Sequence, residues 1–120
     1  MKRIALTVAA VSLAAALSGC SSDLLTGGPL LRPGEPTGVI QVVNGSRGSI
    51  NVVLISSCDA STYGLNRLPS GVAIPQGSSY NFTVSAGCWD VDAGSTSRGA
   101  EARQRMQVRP GGGARYVVGG

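Results

Sequence analysis

The chain has 120 residues, 42% of them hydrophobic and 13% charged, with a formal net charge of +4 and no His. That length supports one domain with a modest core. Without His no Ser-His-Asp or Cys-His nucleophile can be assembled, and the one Lys, Lys2, belongs to the N-terminal leader, so Ser-Lys and Schiff-base chemistry are excluded too.

In that leader, Lys2 and Arg3 precede an uncharged run from Ile4 to Leu17, which is too short to span a bilayer and reads as a signal peptide. The run ends in Leu17-Ser18-Gly19-Cys20, which resembles the lipobox of bacterial prolipoproteins. Leader, small residues and Cys fall in register over about the first 21 residues. The resemblance implies cleavage by signal peptidase II between Gly19 and Cys20, a diacylglyceryl group on the Cys20 sulfur, and an amino group open to further acylation. Each buried methylene contributes about 0.8 kcal/mol, so two or three acyl chains hold a protein at a membrane where one does not. The anchor is thus lipid. Ser21, where an Asp would favour inner-membrane retention, implies by the same resemblance the outer membrane of the envelope, on its periplasmic face.

Removing 19 residues leaves 101, in which 8 Arg face 6 acids. A net charge near +2, dispersed and with little aromatic interleaving, does not describe a nucleic-acid binder. From Ser21 to Pro36 the chain is rich in Gly, Pro and Ser and reads as a flexible tether, with a typical end-to-end distance of roughly 20 to 25 Å. A single domain is expected over 37–120.

With Cys20 assigned to lipid, Cys58 and Cys88 remain as a pair in an oxidising compartment and are expected to form a disulfide. A catalytic or metal-binding thiol lacks its companions, since there is no His and no second Cys cluster, and no cofactor or metal is expected.

The domain reads as β. Val39–Val43 and Ile50–Ile55 are β-branched runs joined by Asn44-Gly45-Ser46-Arg47-Gly48, a stretch of hairpin length, and are expected to pair. Ser79 to Ala86 alternates, with Tyr80, Phe82, Val84 and Ala86 on one face. Ile74-Pro75-Gln76-Gly77 followed by Phe82-Thr83-Val84 is echoed by Val108-Arg109-Pro110-Gly111 followed by Tyr116-Val117-Val118, each a strand end, a Pro/Gly turn and a returning strand. Such spacing predicts an all-β fold: a small β-sandwich or open barrel of about six or seven short antiparallel strands. Asn44-Gly45-Ser46 and Asn81-Phe82-Thr83 match a glycosylation pattern but are read as turn and strand.

Charge refines the last strands. Arg103, Arg105 and Arg109 share a parity within one predicted strand, and pairing it antiparallel with Cys88–Ala93 sets Asp92 opposite Arg103, Asp90 opposite Arg105 and Trp89 opposite Met106. Asp90 and Asp92 are then a solvated strand face in preference to a Ca²⁺ site or catalytic carboxylate pair. Arg109 and Arg115 stay unmatched and are the candidate partner-binding residues.

The stretch Tyr63-Gly64-Leu65-Asn66-Arg67-Leu68, then Ile74-Pro75-Gln76-Gly77, then Gly87-Cys88-Trp89-Asp90-Val91, is loosely similar to small exported β-proteins of proteobacteria, which often have Trp-Gly where this chain has Tyr63-Gly64. The resemblance implies a compact β-domain and carries over no catalytic residue. Two function classes stay open. One is a non-catalytic binding or structural accessory module of the envelope, with a protein partner held by a strand edge or the Arg-bearing face. The other is a small periplasmic inhibitor or ligand-binding protein acting through the Cys58–Cys88 loop.

Overall fold

A computed structural model of the chain describes residues 28–60, 64–95, 99–100 and 103–119; Gly19 and Cys20 lie outside the described residues. Those residues form strands and turns without a helix: β1 (Thr37–Asn44), β2 (Val52–Ser57), β3 (Ser79–Ser85), β4 (Gly87–Ser95), the two-residue β5 (Gly99–Ala100), β6 (Gln104–Val108) and β7 (Gly113–Val118). One sheet has the order β3-β1-β7, and in the other β4 pairs with β2 on one side and with β5 and β6 in turn.

The two sheets pack into a sandwich because each strand alternates. In β1, Ile40 and Val42 turn inward while Val39, Gln41 and Val43 stay half-exposed. Phe82 and Val84 of β3 and Tyr116 and Val118 of β7 complete that sheet's inner face. Val53 and Ile55 of β2, Trp89, Val91 and Ala93 of β4, and Met106 and Val108 of β6 meet them in one buried cluster. Gly38 sits where the layers close: a Cβ there would collide with Val108 Cγ1 and lie 2.8 Å from the carbonyl oxygens of Arg109 and Gly112. Backbone on two sides leaves no room for a larger residue.

The expected pairing of the first two runs is corrected by the structure. β1 pairs with β3 and β7, and β2 pairs with β4 in the opposite sheet. The Asn44–Gly48 stretch is an arch between layers, organised by the fully buried Asn44: its Nδ2 donates to Gly48 O and Ile74 O, each at 2.7 Å, and its Oδ1 accepts from Ser46 N at 2.9 Å. A period-2 pattern states which face is buried and leaves the partner open, so two adjacent strands can line one core from opposite sides.

The Pro/Gly echo has the same explanation. Ser78 N donates to Pro75 O at 3.0 Å and Gly112 N to Arg109 O at 2.9 Å, closing two turns whose third residues, Gly77 and Gly111, have φ of 82° and 69°. The strands that follow do not return on the segments before them; β3 and β7 flank β1. β7, which the chain reaches by crossing from the other layer, lies parallel to β1, a departure from the all-antiparallel expectation.

Residues 28–36, read as the outer part of a flexible tether, lie against the domain. Ser85 N donates to Leu30 O at 2.7 Å, Arg32 N to Ser85 Oγ at 2.7 Å, and Ala86 N to Pro36 O at 2.8 Å. Arg67 Nη2 reaches Gly28 O at 2.6 Å, Leu30 packs on the core, and Arg32 lies 5.2 Å from the centroid of the Trp89 ring. Gly and Pro keep this strap out of a regular strand without preventing it from docking.

Candidate functional site

Two surfaces carry the residues singled out by the sequence. The first is the outer face of the β2-β4-β6 sheet. Cys58 and Cys88 face each other at the ends of β2 and β4 and are joined by a disulfide with a Cα–Cα distance of 5.5 Å, and Cys58 N donates to Cys88 O at 3.3 Å. Next along β4, Asp90 lies between Ser56 of β2 and Arg105 of β6, and Trp89 lies opposite Met106, as the charge pattern predicted.

Asp90 is not the solvated group expected. It is 6% exposed and takes two hydrogen bonds from Arg105, Nε to Oδ1 at 3.0 Å and Nη2 to Oδ2 at 3.1 Å. β6 begins at Gln104, so Arg103 lies just outside the paired register, and Arg109 falls beyond its other end in the turn to β7. Among the described residues no three His, Cys, Asp or Glu side chains gather as a metal site.

The Arg105 hydrogen bond, aided by the charges of Arg105 and Arg103 and opposed by burial, holds the Asp90 carboxyl below its ordinary value of 3.8. A lowered folded-state pKa stabilises the domain above the ordinary carboxylate range, and that contribution disappears as pH falls through the folded value. Asp90→Asn is therefore expected to be less stable than the parent at neutral pH and to converge on it in acid. Urea midpoints measured down a pH series check this, and parallel profiles would contradict it.

The second surface is the outer face of the β3-β1-β7 sheet. Across it run three rows set by register: Gly113, Val39 and Thr83; Arg115, Gln41 and Asn81; Val117, Val43 and Ser79. Arg115 is not wholly unmatched, because its Nε donates to Gln41 Oε1 at 3.2 Å, while Gln41 Nε2 donates to Ser79 Oγ at 3.4 Å. The amide thereby steadies the guanidinium and leaves its charge without an acid: β1, β3 and β7 contain no Asp or Glu. Where Gly113 adds no side chain beside Val39, a shallow hollow of about 300 Å³ opens, lined also by Gln41, Asn81 and Arg115.

The structure separates Arg109 from Arg115, one in a turn and one within β7. Sequence reasoning missed Gln41 as the neighbour of Arg115, although its place in the apolar run Val39–Val43 at the outward parity was a usable signal. It also missed the strap, whose contacts with Ser85, Arg67 and Trp89 are all distant in sequence.

In comparisons with known proteins, the chain matches no family model and no curated sequence.

Proposed function

We propose that this protein is a lipid-anchored module of the bacterial envelope, outer membrane favoured, that acts by holding a protein partner and not by catalysis. The observation that carries the reading is the disulfide. Of three cysteines, Cys58 and Cys88 are joined, which suits an oxidising compartment, and Cys20 is left as the one thiol, standing in the lipobox-like Leu17-Ser18-Gly19-Cys20. A chain without His, and with its one Lys in the leader, also has little means of tuning a general acid or base near neutral pH. Confinement to a membrane raises the effective concentration of a surface-bound partner, so a weak contact suffices.

Labelled palmitate should enter the wild-type protein and globomycin should cause the precursor to accumulate. Label that persists in Cys20→Ala would overturn the anchor. Pull-down of the lipidated protein from envelopes, compared with Cys20→Ala, should recover a partner that depends on anchoring. Recovery of a small molecule in place of a protein would favour the ligand-carrier alternative.

A further inference from the structure

We infer that the outer edge of β7 is a docking site for an extended peptide strand that places an acidic side chain opposite Arg115 and apolar side chains two residues to either side. This deepens the binding-module reading and rests on it.

The first support is which way the backbone of β7 faces. Val39 N donates to Gly112 O at 3.0 Å and Gly45 N to Val118 O at 2.8 Å, so even-numbered residues turn their peptide groups to β1. By the alternation of a strand, Gly113, Arg115 and Val117 turn theirs the other way. Among the described residues no strand pairs with that side. An edge of this kind is a template for an added strand.

Other edges are occupied or differently charged. Along β2, Val53 N donates to Asn66 Oδ1 at 2.8 Å, Arg67 N to Val53 O at 2.7 Å and Arg67 Nε to Ile55 O at 3.0 Å, so a loop covers that edge. The end of β3 is covered by the strap through Leu30 and Arg32. On β6, Arg105 already holds Asp90. Among the described residues, β7 alone combines an outward-facing backbone with a guanidinium whose hydrogen-bond partner is a neutral amide.

The side chains then specify the guest. Gly113, Arg115 and Val117, whose peptide groups turn outward in the plane of the sheet, also lie on its exposed face, with the side chains of Arg115 and Val117 standing out of that plane and Val117 53% exposed. A strand laid beside them sets its alternate residues directly opposite these three. Opposite Arg115 an Asp or Glu neutralises the charge; opposite Val117 a β-branched residue covers exposed apolar surface; beside Gly113 a second apolar side chain fills the hollow over Val39. A second copy of β7 fits less well, because pairing centred on Arg115 sets two guanidinium groups opposite one another.

The test uses the purified chain and a fluorescein-labelled peptide of sequence Thr-Val-Thr-Glu-Thr-Val-Thr, whose symmetry makes the outcome independent of strand direction. Fluorescence polarisation should show saturable binding. A peptide of the same composition with Glu moved by one place, which turns the acid off the Arg115 face, should bind at least about tenfold more weakly. Arg115→Glu should lose binding by a similar factor and regain it with Lys in place of the peptide Glu, as like charges repel and opposite ones attract across an interface. Equal binding of both peptides, or no rescue by the Lys peptide, would overturn the proposal. So would sedimentation showing that Arg115→Ala only promotes self-association, which would make Arg115 a guard of the edge. A chain that takes up palmitate and recovers an envelope protein, yet binds no such peptide, leaves the anchored-module reading in place and overturns this one.

Discussion

Trp89→Ala is expected to remove most of the stability of the domain. Trp89 is fully buried on β4, the middle strand of the β2-β4-β6 sheet, between Ser57 and Met106, and its Nε1 donates to Ser85 O at 2.8 Å. Arg32 of the strap covers its ring. Truncating a buried aromatic side chain of this size costs about 3 to 5 kcal/mol, against a total of about 5 to 15 kcal/mol for an ordinary domain. The variant also leaves the Ser85 carbonyl without its donor and the strap without its platform. Trp89→Phe keeps much of the volume and loses only the hydrogen bond and some packing, so it should lie between. Urea unfolding followed by far-UV circular dichroism is the measurement, since Trp89 is the sole Trp of the chain and its fluorescence vanishes with it. A loss below about 1 kcal/mol would show that the core does not depend on this side chain.

Removing the disulfide, as Cys58→Ala with Cys88→Ala, is expected to be the next most damaging change. The bond joins residues 30 apart in sequence. In the chain-entropy model a loop of that length contributes roughly 3 to 4 kcal/mol by restricting the unfolded chain. Its ends sit opposite one another on strands already paired from Val52 with Gly94 to Ser57 with Trp89, so the folded topology survives its loss. The variant should keep the parent's circular dichroism spectrum while its melting temperature falls by several degrees, and reducing agent should lower the parent alone. A parent insensitive to reduction under conditions that free both thiols would show that the staple contributes nothing.

Both sites were legible in the sequence to different depths. The Cys58–Cys88 pair follows from counting, because a third cysteine was assigned to lipid and two remained. Asp90 with Arg105, and Trp89 with Met106, follow from matching polar and apolar parities in one register, where a slip of a single residue would have set both faces wrong. The burial of Asp90 did not follow. Parity puts its carboxylate on the outer face; the Arg105 guanidinium binds both of its oxygens there, and that depends on a side-chain conformation. Arg115 was likewise singled out as a cation, while its link to Gln41 required β7 to lie beside β1 across a gap of more than seventy residues.

The sequence by itself determined that the domain is built of strands and which face of each is buried, because alternation with period two is a local property written in consecutive residues. It also determined the turn positions, because Pro75 with Gly77 and Pro110 with Gly111 restrict backbone angles wherever the chain goes next. Beyond the β4–β6 pair, which the charge and apolar parities specified, only the tertiary structure decided which strands pair. A strand that buries one face is satisfied by either sheet of a sandwich, and the choice rests on contacts between distant residues: Asn44 tying the arch to Ile74, Gly38 admitting the turn around Gly112, and the strap closing on Ser85 and Trp89. Those contacts put β7 parallel to β1 at the rim of its sheet and turned the peptide groups of Gly113, Arg115 and Val117 outward, which no local pattern in residues 113–118 records.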